Sequence, residues 1–112
     1  MKILYLPLKK EWYDMIESGA KTEEYREIKP YWTQRLLKYG NTWGNYSLVK
    51  ETYKKGFLLF EKYDAVSFSY GYTKRRMTFK VEDISIGKGK KEWGAPDEEV
   101  FIIKIGKLIG KV

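Results

Sequence analysis

Gly19-Ala20-Lys21-Thr22-Glu23-Glu24-Tyr25-Arg26 sets a lysine, two glutamates and an arginine directly behind a glycine. Just upstream, Leu8, Trp12, Met15 and Ile16 fall at the i, i+4, i+7, i+8 spacing of one helical face. Gly19 stands where a left-handed C-terminal cap wants a residue without a Cβ, so the pattern predicts a helix over Lys9 to Ser18. Beyond that cap, Thr22 to Ile28 reads as a strand. Because side chains on a strand alternate, Thr22, Glu24 and Arg26 then share a face, with Lys21 at the turn above them. A hydroxyl, a carboxylate and two cations would meet there. The plainer reading of the same residues is an exposed ion pair, Glu24 with Arg26 or either with a charge across the sheet, contributing under about 1 kcal/mol.

Working outward, Lys2 to Pro7 reads as an opening strand, and Pro30 opens a second helix in which Trp32, Leu36 and Tyr39 share a face before Gly40. Residues 41–62 read as an insertion; Ser47 is placed to cap a helix from Leu48 to Lys55 ended by Gly56, in a stretch otherwise rich in Tyr, Gly and Asn as loops are. From Asp64 the period falls to two. Val66, Phe68 and Tyr70 alternate with Ser67 and Ser69 up to a turn at Gly71, and Met77, Phe79 and Val81 alternate with Thr78, Lys80 and Glu82. These predict two half-buried antiparallel strands, the second extended by Ile84 and Ile86. Gly87 to Glu99 reads as a polar loop, and the apolar run Val100 to Ile105 as a central strand. The sum is an α+β fold, strands closing on themselves with two to three helices packed at one side.

At 112 residues the chain is expected to form a single domain, residues 1–112, and its 43% apolar content is enough for a core. The longest apolar run, Ile3 to Leu8, is far short of the roughly 20 residues a membrane-spanning helix needs. It leads into Lys9 and Lys10 with no small-residue cleavage site, so no leader and no membrane partner are expected, and the location expected is cytoplasmic. Cysteine and histidine are absent, which removes disulfides, thiolate nucleophiles, zinc-finger ligands and the commonest general base. Any catalysis falls to Lys, Asp, Glu, Tyr, Ser or Thr. No cofactor is expected, and no metal: Asp97, Glu98 and Glu99 are consecutive, so their carboxylates diverge on an extended chain. The 22 basic residues outnumber the 15 acidic ones, for a net charge of +7, a balance suited to polyanions and also to plain solubility. The basic residues are spread evenly, 11 in 1–60 and 11 in 61–112, so no basic tail stands out.

Gly19, Lys21, Glu24 and Arg26 fill the four fixed positions of the Gly-x-Lys-x-x-Glu-x-Arg signature of the ASCH domain family, which the chain resembles. The resemblance extends to a strand and short helix before the signature, an aromatic helix after it and a closing apolar strand, with residues 41–62 its least certain part. It implies a small PUA-like β-barrel with helices at its mouth. It further implies an RNA-binding module, or one that binds a modified nucleoside within RNA, the signature residues lining a cleft. On that analogy Lys21 and Arg26 contact phosphate or a base edge, while Glu24 accepts hydrogen bonds from an exocyclic amine or orients Arg26. Some ASCH-like proteins resemble amidohydrolases acting on acylated cytidine, and others are ribonucleases. The amidohydrolase type carries Thr two positions before the signature Arg where this chain has Glu24, and a carboxylate does not replace a hydroxyl as acyl acceptor. A hydrolase would therefore use Lys21 and Glu24 as a metal-free acid/base pair. A third reading is a site for a small acidic metabolite, since two cations beside a glutamate suit any carboxylate or phosphate.

Outside the signature, Lys74, Arg75, Arg76 and Lys80 place four cations within seven residues. Arg75 shares parity with the inward Met77 and Phe79, while Lys74, Arg76 and Lys80 face outward as either a phosphate-binding wall or a solvated edge. Tyr70 and Tyr72 flank Gly71 as a possible base platform or simply as cover for the sheet edge. The loop Gly87-Lys88-Gly89-Lys90-Lys91 is basic but lacks the P-loop pattern, and Trp93 anchors it or plugs the barrel. Trp12 and Trp32 lie on apolar helical stripes and read as core or cleft wall. The candidate binding set is thus Lys21, Thr22, Glu24, Arg26, Tyr70, Tyr72, Lys74 and Arg76, with Lys21 and Glu24 the catalytic candidates if the protein is an enzyme. Nothing in the sequence names a protein partner.

Overall fold

The structure, a computed structural model, describes residues 1–43 and 46–112. Gly44 and Asn45, inside the stretch expected as an insertion, lie outside the described residues. Among the described residues the chain is α+β. Five strands, β1 (Ile3–Leu8), β2 (Glu23–Arg26), β3 (Ala65–Tyr70), β4 (Arg76–Lys88) and β5 (Glu99–Lys111), accompany three helices, α1 (Lys10–Glu17), α2 (Pro30–Leu36) and α3 (Ser47–Lys54). The strands form one mixed sheet in the order β1-β3-β4-β5-β2. β1 runs parallel to β3, with Ile3 opposite Ala65 and Leu8 opposite Tyr70, whereas β3 and β4 are antiparallel. The chain divides into two compact units, the first Met1–Glu24, Lys62–Asp83 and Ile103–Val112, the second Tyr25–Glu61 and Ile84–Ile102.

In the first unit, alternation along β1 turns Leu4, Leu6 and Leu8 inward, where they join Phe68, Met77 and Phe79 as buried residues. Helix α1 presents Tyr13 and Ile16 to the core and is one residue shorter at each end than its periodicity suggests. Gly19 adopts φ +85°, the left-handed cap expected of it, and its N–H donates to the Ile16 carbonyl at 3.1 Å. Strand β2 is shorter than Thr22 to Ile28, although the Thr22 carbonyl still accepts from the Ile105 N–H at 3.0 Å. The largest departure is β3, which alternation marked as half-buried. Ala65 through Ser69 are all buried, Ser67 at 3% and Ser69 at 4% exposed, because β3 is an inner strand whose polar side is also covered. Arg76 Nη1 donates to Ser67 Oγ at 3.4 Å and its guanidinium lies 5.3 Å from the centre of the Tyr5 ring, so both reach over the serines.

Arg75, expected on the inward side with Met77, instead lies outside β4 and is exposed. Its Nη2 donates to both carboxylate oxygens of Glu17, at 3.0 and 3.2 Å, and the guanidinium rests 5.0 Å from the Tyr13 ring and 4.9 Å from the Tyr70 ring. Lys111 Nζ approaches the same carboxylate at 3.3 Å. One acid at the end of α1 thus ties down the β3–β4 turn and the end of β5.

In the second unit, Pro30 begins α2 with its fixed φ, as expected, but the helix stops at Leu36. Leu37 forms a bridge with Phe60, so Tyr39 leaves the predicted face and is 73% exposed. Gly40 is required: a Cβ there would sit 2.2 Å from the Thr33 carbonyl oxygen. Ser47 does not cap α3 but is its first helical residue, with Tyr46 in the cap position and no side-chain cap bond. Gly56, at φ +79°, follows the helix as predicted. The rings of Tyr53, Phe60 and Phe101 meet edge to face, their centres 6.0 and 6.5 Å apart. β4 continues to Lys88 and β5 begins at Glu99, so the expected loop narrows to 89–98 and contains a 3-10 turn at Lys91–Trp93. Trp93 packs against the buried trio Tyr25, Ala95 and Val100. Gly89 leaves the space the Tyr25 ring needs, since a Cβ would lie 2.5 Å from that ring.

The clamp at Glu17 gives a pH-dependent prediction. Its hydrogen bond to Lys111, and then that to Arg75, hold the Glu17 carboxyl below its ordinary value against the opposing effect of burial. A depressed carboxyl stabilises the fold above its unfolded value, and that contribution is lost as pH falls through the folded one. Glu17→Gln is expected to lower Tm at about pH 7, with the difference from wild type vanishing near about pH 3, as followed by thermal circular dichroism.

Candidate functional site

The signature residues divide between the two units. In the first, Lys21 and Glu24 are both buried, 2% and 4% exposed, and Lys21 Nζ donates to Glu24 Oε1 at 2.8 Å. The same ammonium lies 4.6 Å from the centre of the Trp12 ring. Backbone geometry places it: after the Gly19 cap, the Lys21 N–H donates to the Met15 carbonyl at 3.0 Å, folding the chain back along α1. Taking two charges out of water costs several kcal/mol per ion, and only close, well-bonded geometry offsets it. The expectation that Glu24 sits in an exposed ion pair is therefore corrected: its carboxylate is buried, and its bond to Lys21 is internal. Thr22, expected beside Glu24 on one face, is exposed while Glu24 is not.

Arg26 belongs to the second unit. Its Nη1 donates to the Tyr25 carbonyl at 2.8 Å, and its guanidinium lies 5.1 Å from the centre of the Trp32 ring. The Tyr25 hydroxyl accepts from the Lys90 N–H at 3.1 Å. Arg26, Lys29 and Trp32, with Tyr25, Pro96 and Val100, line a hollow of about 430 Å³. The site thus offers an indole with a guanidinium over it and a second cation in the lining, with the Glu27 carboxylate 3.4 Å from the Lys29 ammonium. Planar, anionic ligands match that set.

Among the other candidates, Tyr72 and Arg76 line a separate hollow of about 250 Å³ in the first unit, together with Tyr5, Pro7 and Ser69. Tyr70 is not part of it, since its ring packs 5.2 Å from Tyr13 and against Arg75. Lys74 is exposed on the turn. The basic loop carries its own counter-charge: Lys88 and Lys91 each lie 3.9 Å from Asp97, and Lys90 stands over the Trp93 ring at 4.2 Å. Among the described residues no cluster of acidic, His or Cys side chains is arranged to hold a metal, and no helix is long and apolar enough to cross a membrane.

Sequence reasoning missed Tyr5 and Lys29. Tyr5 was detectable, because the alternation that turns Leu4 and Leu6 inward puts Tyr5 on the opposite side of β1. Lys29, just before Pro30, carried no pattern that separates it from any exposed lysine. Comparison with known proteins returns no match to any family model, curated protein or solved structure.

Breaking the internal pair from one side leaves a buried charge without its 2.8 Å ion-pair bond. Lys21→Met or Glu24→Leu alone is expected to destabilise the protein by about 3–5 kcal/mol in urea unfolding, and the double variant to recover most of that loss.

Proposed function

We propose that this protein is an ASCH-type module with a PUA-like barrel that binds RNA, or a nucleoside within it, in the hollow bounded by Arg26, Lys29 and Trp32. The observation that carries the reading is the Arg26 guanidinium held over the Trp32 indole at the wall of a hollow about 430 Å³ in size. That volume lies within the roughly 300–1,000 Å³ of ligand pockets, and an aromatic face with adjoining cations is how proteins hold unpaired bases and their phosphates. The four signature positions and the mixed five-stranded sheet support the family assignment.

Within this reading Arg26 and Lys29 meet phosphate or base edge, Trp32 stacks on the base, and Lys21 and Glu24 hold the signature segment in place. A hydrolase would need Lys21 and Glu24 to separate and turn toward a substrate; binding requires no such rearrangement. The net charge of +7 supplies a further, unspecific attraction to polyanions.

Fluorescence anisotropy of a labelled single-stranded RNA tests the proposal. Trp32→Ala and Arg26→Ala are each expected to weaken binding about tenfold, in line with the roughly 1–3 kcal/mol a stacked base contributes. The loss is expected to persist at near-physiological salt. Wild-type affinity in both variants would overturn this hollow as the RNA site, and affinity for a free acidic metabolite, indifferent to salt, would assign the hollow to that ligand instead.

A further inference from the structure

The outer face of the first unit's sheet carries a second arrangement of the same chemistry, built from different residues. Pairing sets Tyr5 opposite Ser67 and Ser67 opposite Thr78, and sets Pro7 opposite Ser69 and Ser69 opposite Arg76. The middle strand contributes only small hydroxyl side chains, so the taller residues around it leave a hollow of about 250 Å³. Arg76 is fixed within it by Ser67 Oγ at 3.4 Å and by the Tyr5 ring at 5.3 Å, and Ser67 Oγ in turn accepts from Thr78 Oγ1 at 3.1 Å. None of the seven residues lining the hollow is acidic, so Arg76 gives it a positive sign.

Tyr72 stands at its edge, 97% exposed. The turn that presents it is firmly bonded. Gly71 takes φ +58°, its N–H donates to the Leu8 carbonyl at 2.8 Å, Ser69 Oγ donates to the Gly71 carbonyl at 2.6 Å, and Thr73 Oγ1 donates to the Tyr70 carbonyl at 2.6 Å. An aromatic ring held almost wholly in water on an ordered turn, beside a pre-positioned guanidinium, can take a base on its face without reorganising the backbone.

We propose that the Tyr5–Tyr72–Arg76 hollow of the first unit is a nucleotide-binding site in its own right, Tyr72 stacking on a base and Arg76 holding a phosphate. The ligand class rests on the proposed function; the site stands on its own residues.

The test is a titration of the full-length protein with a labelled octauridylate, using wild type, Tyr72→Ala, Tyr72→Phe, Arg76→Ala and Trp32→Ala, each first checked for an unchanged Tm. Tyr72→Ala and Arg76→Ala are expected to weaken octamer binding at least fivefold, and Tyr72→Phe to retain it. Octamer affinity within twofold of wild type in Tyr72→Ala and Arg76→Ala overturns the subsite while leaving the Trp32 reading intact. Loss in those variants with no loss in Trp32→Ala overturns the proposed function and leaves this hollow as the binding site. If wild type does not bind the octamer, both proposals fall.

Discussion

Two opposite charges almost shut away from water, Lys21 and Glu24, set the terms for the signature segment. Neither would be tolerated there alone, and the 2.8 Å bond between them, with the Trp12 ring beside the ammonium, offsets the loss of hydration. The arrangement needs α1 to end at Glu17, Gly19 to turn the chain through a left-handed conformation, and the Lys21 N–H to reach the Met15 carbonyl. Each condition removes a degree of freedom from the start of β2. Arg26, two residues beyond Glu24, leaves a strand whose beginning is pinned in this way, and in the second unit it finds the Trp32 face. A lysine and a glutamate that stand three positions apart in a linear signature are, in the fold, buried and bonded to each other.

Cations resting on aromatic rings recur through both units: Arg35 on Tyr31, Arg75 on Tyr13 and Tyr70, Arg76 on Tyr5, Lys90 on Trp93. With 17% aromatic residues and 22 basic ones, such pairs give the protein part of its surface order. They also mean that the charge is not an even coat. Arg75 is occupied by Glu17, and Lys88 and Lys91 face Asp97, whereas Arg26 and Arg76 line hollows. Geometry, more than the total of +7, decides which cations border a hollow.

Much of the fold was legible because it rests on local rules. The apolar stripe ending at Gly19, the proline that opens α2, the period of two through Met77 and Phe79 and the turn at Gly71 all report backbone preferences or one-sided burial. What escaped the sequence depends on distant neighbours. Ser67 and Ser69 look like the wet side of a strand until Tyr5, more than sixty positions earlier, is known to lie opposite Ser67. Arg75 follows strand parity on paper, yet Glu17 and two tyrosines draw it outside the sheet. The candidate site was legible in its residue types but not in its pairing. Alternation along β2 places Glu24 on an exposed face, whereas the cap at Gly19 returns Lys21 to a buried Glu24, and Arg26 lies over an indole.

The central claim is that a ligand base enters the hollow at Trp32. The four tryptophans provide four indole N–H signals, so an assigned nitrogen-15 spectrum of the protein titrated with a short single-stranded RNA reads the site directly. The account predicts a saturable shift of the Trp32 signal that tracks the binding isotherm, with the Trp12 signal, beside the internal Lys21–Glu24 pair, nearly still. A Trp32 signal that stays in place through saturation, while RNA binds elsewhere, would contradict it.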